Sequence, residues 1–397
     1  MITRTDGQTV PPTKITQDNY IEVKGKKGVE IKVPAYLVKD ISRAGSDSNY
    51  AVALERMEQG RYRLAAWHFL KALDAMSQQK WAQEYCNYGA GNALYANDDF
   101  KGATGKSGAK YAPPSVYYKK ALEANDKSRF LPDILVKLPV CLLEEEKYDE
   151  ANAALKDAEK RIKDYGDEIF KAFNYREAGK RASAMLALTD ARVAEKCAEK
   201  GKTQWQDVKD KWLTARTRCF DYPALQGEAV DGLLRTLLAM KDYVTAKSES
   251  ESIINKYRKE GDAKQLLLLP GAYFVQGRAN LQQAEDYDAK SMKIQANEAY
   301  ANARWSFLNV VAQFFNNDRY VAQAHYWAGV CYDRLKDVEP SDAALKAARH
   351  WKLIVDNFPH MKELAQKELD RVAATTAAPA PTPKKESPKL PPAPKTP

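Results

Sequence analysis

The sequence predicts a mainly α protein: an α-solenoid of about seven helical hairpins, with a small β module before it and a disordered tail after it. Three observations predict this. First, one spacing recurs down the chain: a small residue, a large apolar one four on, and a small or apolar one three further. It reads Ala65-Phe69-Ala72, Ala151-Leu155-Ala158, Ala303-Phe307-Val310 and Ala347-Trp351-Ile354. Second, strand-type alternation is confined to the first 46 residues. Third, Pro and Lys dominate the last stretch, where no large aromatic remains.

Residues 1–46 form the predicted β module. Tyr20-Ile21-Glu22-Val23-Lys24 alternates, Gly25-Lys26-Lys27-Gly28 turns, and Val29-Glu30-Ile31-Lys32-Val33 alternates again. Period two around a Gly-flanked turn predicts a β-hairpin. Asp6-Gly7 marks another turn, Pro11-Pro12 breaks the strand between them, and Pro34, Tyr36, Val38 and Ile41 close the segment. So short a module is marginal alone, which points to docking on the first helices. It resembles small SH3-like or Sm-like barrels.

Residues 47–374 carry the helical array. Apolar residues recur at three and four, the period of an amphipathic helix. First helices centre near Ala53, Gly91, Pro139, Gly179, Leu234, Gly277 and Gly329. Their partners carry Ala65-Phe69-Ala72, Pro114-Tyr118-Ala121, Ala151-Leu155-Ala158, Val208-Trp212-Ala215, Ala246-Ser250-Ile253, Ala303-Phe307-Val310 and Ala347-Trp351-Ile354. One hairpin cannot bury its own apolar face. Small residues let two helices approach, and the aromatic fills the gap towards the next hairpin. The period is uneven. Lys101 to Pro113 is read as a Gly-rich loop within the second pair, and Thr189–Gln204 and Gln282–Asn297 lengthen the fourth and sixth.

These motifs resemble the tetratricopeptide repeat family. Ala328-Gly329, Tyr332, Ala347, Trp351, Ile354 and Pro359 follow its pattern, and so do Tyr62, Ala65, Phe69, Ala72 and Leu73. Phe307-Val310-Val311-Phe314 and Trp351-Ile354-Val355-Phe358-Pro359 are similar to the divergent repeats of bacterial cell-envelope proteins. The resemblance implies a non-catalytic scaffold or adaptor that docks a protein segment along its first helices. By position it implies peptide-binding residues at Tyr85, Tyr88, Asn92 and Tyr95, then Arg176 and Lys180, Asp231 and Arg235, Phe274 and Arg278, and Tyr326 and Asp333. Their mostly basic character suits an extended peptide with some acidic residues. Packing between repeats is the competing role for the tyrosines. Asn92 alone does not make the family's carboxylate clamp for chaperone tails.

Residues 375–397 are read as a disordered tail of polyproline-II character. Four tail lysines against Glu386 account for +3 of the net charge of +9, so +6 is spread over the rest. That surplus is too mild for the clustered basic face of a nucleic-acid binder, although a basic repeat protein using the β module for nucleic acid is an alternative. No apolar run of about eighteen residues exists. Met1-Ile2-Thr3-Arg4 is not a secretory start. As given, the chain reads as cytoplasmic, or as periplasmic or cell-envelope if a signal was removed before Met1.

Little points to catalysis or to a cofactor. Gly102-Ala103-Thr104-Gly105-Lys106-Ser107 lacks the first Gly of a phosphate loop, since Phe100 stands there, and Pro113-Pro114 follows where a helix should begin. His68, His325, His350 and His360 pair with no His or Cys at metal spacing. Cys86, Cys141, Cys197, Cys219 and Cys331 lie within helical patterns, as buried thiols do. Glu144-Glu145-Glu146 reads as a solvated turn. An all-helical enzyme whose carboxylates meet only in space is the remaining alternative.

Overall fold

A computed structural model describes residues 2–10, 14–19, 21–27, 29–35, 38–41, 45–104, 110–165, 176–258, 265–317, 319–339 and 342–376. Two compact units divide the chain, Met1–Met240 and Lys241–Pro397.

The first unit opens with six short strands: β1 (Ile2–Arg4), β2 (Thr9–Val10), β3 (Lys14–Asp18), β4 (Glu22–Lys27), β5 (Val29–Pro34) and β6 (Val38–Ile41). They form two antiparallel three-stranded sheets, ordered β2-β1-β6 and β3-β4-β5. Gly7 turns the chain with φ of +83°, a conformation glycine adopts without strain, and its N–H donates to the Arg4 carbonyl at 3.1 Å. The predicted second hairpin exists, but its turn is displaced. Gly25, Lys26 and Lys27 pair with Ile31, Glu30 and Val29 as strand residues. Gly25 continues the alternation inward, buried on the same face as Val23, while Lys26 is exposed. Gly28, Pro11, Pro12, Tyr20 and Tyr36 lie outside the described residues.

The module shares its core with the helices. Ile2, Val23 and Ile41, each at most 1% exposed, belong to one apolar cluster with Tyr50, Ala53 and Phe69. Few buried side chains come from so short a segment, so burial against the helices supplies what it lacks alone.

Nine helices of the first unit follow among the described residues. They are α1 (Ser48–Glu58), α2 (Tyr62–Ala75), α3 (Lys80–Ala96), α4 (Pro114–Ala124), α5 (Leu131–Glu144), α6 (Tyr148–Tyr165), α7 (Arg176–Glu199), α8 (Trp205–Arg218) and α9 (Pro223–Ala239). Asp47 caps α1, accepting from the Asn49 N–H at 2.8 Å. Pro114 starts α4, where a missing N–H costs nothing. The second unit holds α10 (Tyr243–Tyr257), α11 (Gln265–Ala289), α12 (Lys293–Gln313), α13 (Val321–Arg334), α14 (Ala343–Asn357) and α15 (Lys362–Thr376). Within each unit, helices adjacent in sequence pack on one another.

Within the units the predicted pairs are α1/α2, α3/α4, α5/α6, α7/α8, α11/α12 and α13/α14, α15 is a further helix packed on α14, and the helices of the predicted fifth pair, α9 and α10, belong to different units. Thr375 and Thr376, assigned to the tail, end that helix. Residues 377–397 lie outside the described residues. The lengthened fourth and sixth pairs appear as long helices, 24 residues in α7 and 25 in α11. The loop read at Lys101–Pro113 instead contains two short strands, β7 (Ala103–Thr104) and β8 (Lys110–Tyr111), with Tyr111 only 7% exposed. Residues 105–109, with most of the phosphate-loop-like motif, lie outside the described residues.

Small residues and aromatics hold the pairs together. A Cβ on Gly277 would stand 2.6 Å from the Phe307 ring, and one on Gly329 2.6 Å from the Trp351 ring. In these two pairs the aromatic packs on the glycine of its own hairpin. Phe69 and Trp212 follow the expected arrangement instead, packing on Gly89 and Gly232 of the next first helix. Gly232, not Leu234, is thus the close-approach position of α9. Trp212 and Trp351 are both fully buried. The Trp351 indole N–H donates to the Tyr326 carbonyl at 3.2 Å, whereas that of Trp212 is buried without a partner among the described residues.

Candidate protein-binding faces

Helical spacing aligns Tyr85, Tyr88, Asn92 and Tyr95 along one face of α3, but the rest of the first unit already occupies that face. Tyr85 is 1% exposed, so it offers no surface to a partner. Its hydroxyl donates to Asp18 and its ring meets Phe130 edge-on at 5.0 Å. Tyr88 stacks on Phe130 at 3.8 Å and donates to Asp133 at 2.9 Å. Burial, with the Asp133 charge beside it, pushes its phenol well above the usual range. Asn92 Oδ1 accepts from Tyr118 at 2.7 Å and from Lys137 at 2.9 Å. Lys137 also pairs with Asp133 at 2.8 Å and lies 5.3 Å from the Tyr95 ring centroid. Strand β3, helix α4 and the next hairpin thus meet the polar groups of Tyr85, Asn92 and Tyr88.

The basic positions divide. The side chain of Arg176 lies outside the described residues. Lys180 is exposed, with Asp221 at 3.9 Å. Arg235 is committed within the chain: it grips Glu195 through two bonds of 3.0 Å, contacts Asp231, and its guanidinium lies 5.9 Å from the Trp212 ring.

In the second unit, Phe274 is core, 5% exposed among Phe307 and Tyr320. Tyr326 is 8% exposed and donates to Glu368 at 3.4 Å. Both are therefore poor contact surfaces. Asp333 is held by Arg371 at 2.7 Å and Lys336 at 3.3 Å. Arg278 differs. Its guanidinium lies 4.0 Å from the Trp327 ring centroid, and no hydrogen bond or ion pair holds it among the described residues. Its Nε is buried without an acceptor, and burial lowers its pKa. Arg278 is thus a half-buried cation stacked on an indole, on which Glu285 acts through space without an ion pair.

Sequence spacing could not show the partner of Arg278. Trp327 comes from the next first helix, at the position after Tyr326, and only packing of α11 and α13 elements could bring the two together. Two turns along α13, Arg334 is exposed and faces a cleft of about 660 Å³ among α12, α13 and α15. Its lining is of mixed charge, with Lys293, Lys336 and Arg371 beside Asp288, Asp333, Asp337 and Glu368.

The structure joins two histidines that the sequence leaves apart. His325 and His350 place their Nδ1 atoms 2.8 Å apart across α13 and α14. One must donate and the other accept, so the two rings cannot both be protonated. Burial lowers both, His350 to about 4 with the help of its neighbour. Among the described residues no group of three or more His, Cys, Asp or Glu could hold a metal ion. The five cysteines are free and buried. Glu145 is not merely solvated: it accepts from the Ser115 hydroxyl at 2.8 Å, at the start of α4, and pairs with Lys147 at 2.7 Å. No helix is long and apolar enough to cross a membrane among the described residues.

No family model matches the chain, and no curated protein matches it. Among solved structures, it is similar to a signal transduction ATPase with numerous domains and a tetratricopeptide repeat sensor from Pyrococcus horikoshii. The identity is 13%, over 86% of this chain and 51% of that one, with a TM-score of 0.44, so this chain spans about half of that protein. It is also similar to IFIT1 with m7Gppp-AAAA (12% identity, 80% and 71% covered, TM-score 0.35). A third is the yeast Sti1 TPR2AB domain in complex with pHSP90 (13%, 71% and 98%, TM-score 0.23). The fold itself follows from the packing: consecutive helix pairs with Gly277 under Phe307 and Gly329 under Trp351 make this chain a tetratricopeptide-like array of helical hairpins.

Proposed function

We propose that the chain is a non-catalytic interaction scaffold that docks an extended polypeptide bearing acidic residues, anchored in the second unit at Arg278 and Trp327. The observation that carries this is the unpaired guanidinium of Arg278 over the Trp327 ring. Glu285 acts on this charge only through space, a desolvated charge without a hydrogen-bonded partner is costly, and a carboxylate arriving there relieves that cost. Trp327 adds a flat apolar contact of the kind that dominates interfaces. Arg334 lies two turns further along α13, where a second acidic side chain of the same segment would meet it.

The test is selection of peptides from a displayed random library against the full-length chain, repeated with Arg278→Ala. Enrichment of Asp and Glu in the wild-type selection is expected, with affinity falling at least about tenfold in the variant, as for loss of a hydrogen-bonded charge partner. Peptides without acidic residues, or equal affinity for both proteins, would remove the proposal's basis.

A further inference from the structure

A separate cluster of buried ionisable groups lies where the strands meet the helices of the first unit. Asp18 projects from β3. Glu84 and Tyr85 are neighbours on α3. Asn125, Ser128 and Arg129 come from the turn between α4 and α5. Asp18 and Arg129 are 8% and 7% exposed and approach to 4.0 Å. The Tyr85 hydroxyl donates to Asp18, and the Asn125 amide donates to the Asp18 carbonyl at 3.4 Å. Arg129 reaches the β6 carbonyl of Val38 at 3.2 Å, with its guanidinium 5.0 Å from the Tyr85 ring and 4.6 Å from the Phe130 ring. These contacts join β3 and β6 to the helical array.

Glu84 sits behind them, 4% exposed. Its carboxyl accepts from the Ser128 hydroxyl at 2.5 Å and from Asn125 at 3.0 Å. Asp18 and Arg129 are the charged groups that act on it. With both carboxylates ionised, one guanidinium faces two negative charges in a buried junction. With Glu84 protonated, Asp18 and Arg129 balance. Asn125 bonds both Asp18 and Glu84, so the charge state of Glu84 bears directly on the module's attachment.

We propose that Glu84 is a proton-operated latch: the N-terminal strand module is held firmly on the array while Glu84 carries a proton, and its hold loosens when Glu84 ionises. Burial is the largest influence on this carboxyl. It outweighs the Ser128 and Asn125 bonds and raises the group from its ordinary 4.5 to about 7. The latch requires that lifting the module admits water to Glu84, which then returns towards 4.5. The docked state then binds the proton more tightly than the open one, so docking is strongest at low pH and weakens as pH rises through about 7. The inference is independent of which polypeptide the second unit binds.

The experiment is amide hydrogen exchange on the full-length chain, corrected for the intrinsic rate, read over β4 and β5. Protection is expected to fall about thirtyfold between roughly pH 5.5 and pH 8, the part within that window of the roughly 300-fold ratio between the two proton affinities. In Glu84→Gln the corrected protection is expected to be flat over the same window, whatever its level. In Ser128→Ala the fall is expected at higher pH, because the ionised carboxylate has lost a donor. A wild-type profile without the fall, or a Glu84→Gln profile that keeps its slope, would overturn the latch. If Glu84→Gln does not fold, the wild-type profile and the direction of the Ser128→Ala shift decide.

Discussion

The tyrosine face of α3 and the Arg278 position of α11 occupy comparable places in their hairpins and have opposite fates. On α3 the chain supplies its own partners. Asp133 takes the Tyr88 hydroxyl, Tyr118 and Lys137 take Asn92, and Asp18 takes Tyr85. On α11 the following hairpin supplies Trp327, a ring with no acceptor for the guanidinium it covers. Residue type and spacing do not distinguish a binding face from an inter-repeat contact. What tertiary packing places opposite does.

The largest expected effect tests the closed face. Tyr85→Ala removes a fully buried ring, with its hydrogen bond to Asp18 and its contacts with Phe130 and Arg129. The first unit should lose about 3–5 kcal/mol, measured by urea unfolding followed through hydrogen exchange in α3. A loss below about 1 kcal/mol would mean that the ring is dispensable to the fold and would reopen this face as a binding surface.

A smaller effect sharpens the same contrast. Tyr88→Phe keeps the stack on Phe130 and removes only the hydroxyl that donates to Asp133. Hydrogen bonds to charged groups contribute about 1.5–3 kcal/mol, and the low end applies because Lys137 still pairs with Asp133. Thermal unfolding would measure this loss, and the affinity of the selected acidic peptide should stay unchanged. Weakened peptide binding with unchanged stability would invert the assignment of the two faces.

The contrast also explains what was legible in the sequence. Gly329 and Trp351 lie 22 positions apart in one hairpin, and their fit follows from helical period and size. The strand alternation through Val23 and Val33 was legible in the same way, but not the turn, because Gly25 reads as a turn residue whether or not it points inward. The fate of Tyr85 was not legible. Its partners Asp18 and Arg129 come from a strand and a turn that only tertiary packing brings to α3. The pairing of His325 with His350 escaped for the same reason, since the residues lie on different helices without a metal-site spacing.

The smallest expected effect on stability is the most discriminating. Arg278→Met keeps a long, flexible side chain over Trp327, and a thioether packs well against an aromatic ring. It removes a half-buried charge that makes no hydrogen bond or ion pair among the described residues, and the thioether contact offsets the lost cation–π contact with Trp327. Stability of the second unit should change by less than about 0.5 kcal/mol, or rise slightly, as when an unfavourable buried charge is replaced by an apolar group. The same substitution should weaken the selected acidic peptide as much as Arg278→Ala does. Stability unchanged with affinity lost assigns the guanidinium to a partner. A loss above about 2 kcal/mol would instead place Arg278 with Arg235, a cation held for the fold, and the distinction between the two faces would fail.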